Sequence, residues 1–338
     1  MLSVADRIAA FLRLGKAINQ LNENQLKEIT TECYHTNTWF DEKQVRAALR
    51  GIVCLLEETS FRRWANSYTY PTTSKKVGCI MAGNVPFVGV HDFICILMSG
   101  HDLYGKLSSQ DTYLPKKIAA LLCDIEPRFA QKIHWVEQLK NVDAVIATGS
   151  DNSARYFEYY FSKKPHIIRR NRVSVAILNG TETDEDFVAL ADDIFLYYGL
   201  GCRNVAKIFA PTGYDFTALL KALEPFGREA VQNHKYSNNY DYQKSLLLIN
   251  KIPHLDNSYL MLKEDTGLVS PISVVFYEHY RDVAQLKELL SFVSAKIQCI
   301  VSKAGWFPNS VPFGKAQFPA IDDYADGVDT MKFCTTLC

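Results

Sequence analysis

From residue 77 onward the chain alternates short apolar runs with amphipathic stretches of helical length, and this alternation restricts the fold more than any other feature. Residues 77–81, 103–107 and 144–148 read as strands, and residues 86–98 and 113–123 as helices. A further helix opens after Gly149 and Ser150. Strands spaced by helices of this length build βαβ units, which give a mostly parallel sheet. The first 70 residues read as helices instead. Ala9, Ala10, Leu12, Leu14, Ile18 and Leu21 form one apolar face, and Val45, Ala48, Leu49, Ile52, Val53, Leu55 and Leu56 a second, before Pro71-Thr72-Thr73-Ser74 breaks the pattern.

Residues 183–198 give the clearest helix. Thr183 with Asp186 forms a capping-box pattern, and Phe187, Leu190, Ala191, Ile194, Phe195 and Tyr198 recur at helical spacing until Gly199. A strand-like run at 205–210 follows. Beyond it, residues 245–249, 259–262 and 272–277 are strand candidates and 283–292 a helix. The stretch from Pro312 to the end is rich in turns and closes on a short extended run. A strand there needs a sheet edge, and we expect a partner subunit to supply it.

At 338 residues and 48% hydrophobic content the chain is long enough for two or three structural units. Lys plus Arg equals Asp plus Glu at 37 each, with no basic block, which sets nucleic acid aside as the main partner. The N-terminus has no basic segment followed by an apolar one. No apolar run reaches about 18 residues, so neither a secretory signal nor membrane insertion is expected and the reading is cytoplasmic. Nine cysteines, with no C-x-x-C spacing, argue against a disulfide framework, and eight dispersed histidines give no metal site.

Cys202, in Gly199-Leu200-Gly201-Cys202-Arg203-Asn204, follows the clearest helix directly. Two glycines clear the backbone around it, and Arg203 is one source of the positive charge that favours a thiolate. Core cysteines are nevertheless common in a chain this apolar. Asn84, in Gly83-Asn84-Val85-Pro86, stands at the carboxyl end of the first strand, where its amide suits a developing oxyanion; as a plain cap it suits a helix starting at Pro86 equally. Lys106 and Ser108 end another strand, as ribose or 2′-phosphate contacts or as solvated surface. Thr148-Gly149-Ser150 leads from strand to helix and offers backbone N–H groups to a pyrophosphate, unless it is an ordinary turn. Gly199-x-Gly201 is no dinucleotide fingerprint, because it follows a helix and position 204 is Asn.

In this order, the G-N-x-P turn, the Gly-x-Lys strand end, the T-G-S turn, the G-x-x-C thiol and Pro312-Phe313-Gly314 resemble the aldehyde dehydrogenase superfamily. Residues 81–86 and 106–109 with Gly201-Cys202-Arg203 are most similar to its acyl-CoA reductase family, which includes the reductase subunit of the bacterial bioluminescence fatty-acid reductase. The resemblance implies an α/β fold with a Rossmann-like cofactor domain, a catalytic domain and a C-terminal oligomerisation strand. The expected boundaries are 1–198, 199–311 and 312–338. It also implies Cys202 as the nucleophile, Asn84 as oxyanion donor, and Lys106, Ser108, Gly149 and Ser150 about the cofactor, NADPH before NADH. The implied donor is acyl-CoA or an acyl-carrier protein, and the implied assembly a homodimer or tetramer. Residues 168–175, where the superfamily's hydrolytic members carry a glutamate, hold no carboxylate, so reduction of a thioester is expected over its hydrolysis. Residues 264–271 match the second glutamate motif only with a gap. A cysteine acyltransferase or thioesterase, and a non-catalytic carrier-binding subunit, are the alternatives.

Overall fold

The computed structural model describes residues 2–337. The chain forms two compact units, Met1–Asn171 with Pro319–Cys338, and Arg172–Phe318.

The first unit begins with four helices, α1 (Val4–Asn19), α2 (Glu23–Thr36), α3 (Glu42–Leu55) and α4 (Glu58–Asn66). Ser3 and Asn22 cap α1 and α2 through complete capping boxes. Then come β1 (Lys76–Ile80), α5 (Val90–Ser99), β2 (Asp102–Lys106), α6 (Tyr113–Ile125), β3 (Ile133–Trp135), β4 (Ala144–Thr148), α7 (Asp151–Phe161) and β5 (His166–Arg169). The five strands pair in parallel in the order β3-β2-β1-β4-β5. The order reverses at β1, and in open sheets of this kind ligands bind at the carboxyl edge beside that reversal. α5 is buried from Asp92 to Ser99 without a break, as its run of apolar residues requires.

The second unit contains β6 (Val173–Ile177), α8 (Asp184–Phe195), β7 (Val205–Pro211), α9 (Thr217–Ala230), α10 (His234–Ile249), β8 (Leu255–Asp256), β9 (Met261–Glu264), β10 (Val274–Tyr280), α11 (Val283–Val293), β11 (Ile297–Ser302) and β12 (Val311–Pro312). Its sheet runs β12-β11-β6-β7-β10-β9-β8, parallel except for β8 against β9. Val175, Ile177, Phe209, Leu286 and Leu290 form its core on one face.

Three expectations change. The first boundary falls at Asn171, not 198, because β6 pairs with β7 and β11 of the second unit and takes α8 with it. Residues 245–249 belong to α10 rather than a strand; Leu246, Leu248 and Ile249 are exposed, so their apolar character does not report burial. The C-terminal run is helical, α12 (Thr330–Thr335), capped by Asp329 and packed on α5 of its own chain through buried Met331 and Cys334. A helix offers no ladder for an oligomerisation strand.

Candidate active-site residues

In the first unit the carboxyl edge of the sheet gathers five of the expected residues, Asn84, Lys106, Ser108, Gly149 and Ser150, with their loops. β1 ends at Ile80, opposite Lys106 at the end of β2, and β4 ends at Thr148. Asn84 is exposed on the turn from β1 to α5. It does not cap a helix at Pro86, since α5 begins at Val90 with Gly89 as its N-cap and no side-chain bond there. The turn is held from both sides. The Asn37 side chain donates to Gly83 O at 3.5 Å, and Asp111 accepts from Phe87 N at 2.6 Å. Gly83 lies so close to the β2 loop that an added Cβ would stand 2.5 Å from Ser108 Oγ and 2.7 Å from Ser108 Cβ. The structure therefore joins the Asn84 turn to the loop carrying Lys106 and Ser108, both half-buried.

The turn after β4 is more self-contained than the sequence suggests. Gly149 N donates to Arg169 O at 3.3 Å, and Ser150 is the N-cap of α7, its Oγ accepting from Ser153 N at 3.2 Å. A helix leaves its first amides without intrahelical partners, so the donors here are those of the first turn of α7. Behind this edge, Arg169 Nη1 donates to Asp92 Oδ2 at 2.5 Å and Nη2 to Thr330 Oγ1 at 2.7 Å, all three side chains being buried. Burial alone would pull the guanidinium down, but Asp92 outweighs it and holds Arg169 above its ordinary value.

Cys202 stands on the other unit, half-buried, at the amino end of β7. α8 does not end in a simple cap. Tyr197, Tyr198 and Gly199 take left-handed φ values of 56°, 57° and 77° in succession. For two tyrosines this costs about 1–3 kcal/mol each, and such strain persists only where the surroundings fix it. Here the fixing residue is Asn204, 2% exposed. Its Oδ1 accepts from Gly201 N at 2.8 Å, while Nδ2 donates to the carbonyls of Asp193, Ile194 and Leu196 at 3.2, 3.3 and 2.6 Å. Ser174 Oγ, on β6, donates to Cys202 O at 3.1 Å. Arg203 Nη1 donates to Ala316 O at 3.3 Å, which ties the cysteine turn to the loop after Pro312-Phe313-Gly314.

Asn204, Asp193, Ser174 and Asp111 carry roles that sequence reading does not assign. A signal existed for Asn204 alone, as a small amide two residues beyond the candidate thiol. Asp193 lies off the apolar stripe of α8, yet it is fully buried and accepts from Gly314 N at 2.6 Å and Ala316 N at 3.0 Å. Among the described residues no group of three His, Cys, Asp or Glu side chains is placed to hold a metal, and no helix is long and apolar enough to cross a membrane.

Two mainly parallel sheets on separate units, one with a switch point at β1 and one with the Cys202 turn before β7, make up an aldehyde dehydrogenase fold. An aldehyde dehydrogenase from Bacillus cereus, solved with NAD+, is similar at a TM-score of 0.63 and 13% identity over 89% of this chain and 72% of that one. An NAD-dependent aldehyde dehydrogenase from Sinorhizobium meliloti matches at 0.65 and 13% over 89% and 70%. The indole-3-acetaldehyde dehydrogenase AldA of P. syringae, solved with NAD+ and IAA, matches at 0.65 and 12% over 91% and 74%. Within this fold the chain belongs to the acyl-CoA reductase (LuxC) family, whose model matches residues 11–218. Membership makes it an oxidoreductase of the aldehyde and acyl-group class. No curated protein matches the chain.

Proposed function

We propose that this protein reduces an acyl thioester, carried by coenzyme A or an acyl-carrier protein, to an aldehyde through an acyl group held on Cys202. The observation that carries the reading is the turn of residues 197–204, where backbone strain and the bonds of Asn204 fix a half-buried thiol at the start of β7 in a member of the acyl-CoA reductase family.

The Cys202 thiolate attacks the carbonyl carbon of the thioester. The tetrahedral oxyanion is met by the Asn84 side-chain amide and the Cys202 N–H, and its collapse expels the carrier's thiolate. When bound, a reduced nicotinamide supplies the hydride that converts the Cys202 thioester to an aldehyde and restores the thiolate. The residues at the first sheet's carboxyl edge fit such a group: Lys106 and Ser108 are half-buried beside the Asn84 turn, where they would hold a ribose. The preference for NADPH over NADH rests on the family resemblance. Gly149 and Ser150 shape the turn beside the pyrophosphate, with α7's first-turn amides as donors. Residues 168–175, on β5 and β6, bring no carboxylate to activate water, which preserves the acyl-cysteine for reduction. A cytoplasmic homodimer or tetramer is part of this reading.

The test is NADPH oxidation, followed by absorbance, on adding a panel of acyl-CoA and acyl-carrier-protein thioesters, with Cys202→Ser alongside. Thioester-dependent oxidation lost in the variant supports the reading. Thioester cleavage without oxidation, or full activity in Cys202→Ser, overturns it.

A further inference from the structure

Cys202 and the loop that follows Pro312-Phe313-Gly314 share one buried brace. The side chain of Asp193 is 0% exposed and that of Asn204 belongs to a residue 2% exposed. Both oxygens of the carboxylate are used, Oδ2 by Gly314 N and Oδ1 by Ala316 N, while the main-chain carbonyl of the same Asp193 accepts from Asn204 Nδ2. Asn204 also grips the cysteine turn at Gly201 N and closes the end of α8 at Leu196 O. A carboxylate in its place would accept but not donate, and a hydroxyl has a single donor; only an amide both accepts and donates twice. Arg203 completes the circuit by donating to Ala316 O. The two residues after the thiol are thus bound to the loop, one directly and one through Asp193.

Such a carboxylate is a costly way to anchor a loop. Desolvation pushes Asp193 up to about 7 against the two amides that favour its charge. A well-packed apolar residue would serve stability as well or better. What the carboxylate provides instead is direction, since it fixes two amides of one loop relative to the C-terminal end of α8, from which the chain leads into the Cys202 turn.

We propose that Asp193 and Asn204 are positioning residues that join the Cys202 turn and the loop of residues 312–316 into a single body, so that the thiol is held relative to Phe313. This rests on the reading of Cys202 as the nucleophile only for its consequence in turnover; the brace itself is a structural claim.

Peptide-level hydrogen exchange on the full chain tests the brace without reference to activity. Asn204→Ala is expected to speed exchange in residues 312–318, where the Gly314 and Ala316 amides donate to Asp193 and not to Asn204. Asp193→Asn is expected to speed exchange in residues 196–204. Either peptide exchanging at the wild-type rate in its folded variant overturns the proposal. Should Asp193→Asn fail to fold, Arg203→Ala, which breaks the half-buried direct link, is read the same way. In thioester reduction, Asn204→Ala is expected to lower kcat about tenfold with KM within about twofold; a change in KM alone would overturn the positioning role. Loss of the proposed function would show as absent activity in the wild type, and the exchange experiment would still decide the brace.

Discussion

Asp111 Oδ2 accepts a 2.6 Å hydrogen bond from the backbone amide of Phe87, a residue held at a left-handed φ of 48°. Asp111 N in turn donates to Ser108 O at 3.1 Å, so one buried residue fixes the turn carrying Asn84 and the loop carrying Ser108. The arrangement parallels that of Asp193 in the second unit: each is a buried carboxylate that accepts from loop backbone, Asp111 from one amide and Asp193 from two.

Burial raises both carboxyls from 3.8 to about 7, and this gives stability a defined pH dependence. With the folded-state value raised, the folded protein keeps protons that the unfolded chain has released. Their contribution is therefore most favourable below pH 3.8, weakens as pH rises, and levels above about 7. Thermal melts between pH 5 and 8 should show Tm falling with pH. Asp111→Asn and Asp193→Asn should each flatten that slope, and the double variant should flatten it further. A slope unchanged in all three would refute the assignment.

Gly83→Ala places a methyl group where Ser108 stands. With contacts of 2.5 Å to Oγ and 2.7 Å to Cβ, rotating the hydroxyl relieves only the first, so the backbone of one loop must move. The Asn84 turn and the Ser108 loop should separate, and thioester reduction should fall about tenfold or more with the fold retained. Circular dichroism and steady-state kinetics on the same sample check this. Wild-type turnover would mean the close approach has no bearing on catalysis.

Asn84→Ala removes one side-chain donor from an exposed turn and nothing from the core. Loss of an oxyanion donor costs roughly 3–4 kcal/mol in the transition state, a hundredfold or more in kcat. KM and Tm should stay near wild type. Retained kcat would assign the oxyanion to other groups.

How far the sequence revealed this design depends on the range of the interactions involved. The βα alternation of residues 77–148 and the capping box at Thr183 are local, and both appear, with α5 starting at Val90 rather than Pro86 and β3 as an added strand. The break between units was not legible, because β5 and β6 are neighbours in sequence and their membership is decided by pairing with distant strands. Residues 245–249 misled through apolar side chains that the fold leaves at the surface. Asp193 is the sharper case: on α8 it falls among acidic neighbours and off the apolar stripe, and only the return of residues 314–316 explains its burial. The glycines before Cys202 mark a turn, and a turn is there, while the strain at Tyr197 and Tyr198 was not legible, since neither residue type signals a left-handed turn.

The buried pair Asp92–Arg169 links α5, β5 and α12, and truncating one member should be severe. Arg169→Ala leaves Asp92 charged with no counter-ion in the core, a loss of about 3–5 kcal/mol. Asp92→Leu with Arg169→Met should recover most of it, because no uncompensated charge remains. Urea denaturation of the single and double variants distinguishes the pair's burial cost from its packing, and a double variant as unstable as the single would contradict this account.

α12 docks on α5 of its own chain, and that contact predicts how its loss depends on concentration. Met331 is fully buried, Cys334 likewise, and the segment leading to them is tied down where His91 Nε2 meets Ile321 O at 2.8 Å, Trp64 Nε1 donates to Tyr324 Oη at 2.6 Å and Tyr68 Oη donates to Asp329 at 3.0 Å. Met331→Ala should cost about 2–5 kcal/mol through lost burial and the cavity left behind. Because the partner surface lies in the same chain, the drop in Tm should be the same at micromolar and at hundred-fold higher protein concentration. A segment serving a neighbouring subunit would behave otherwise, since its contribution would grow with concentration by mass action. Melting the variant and the wild type across that range separates the two arrangements.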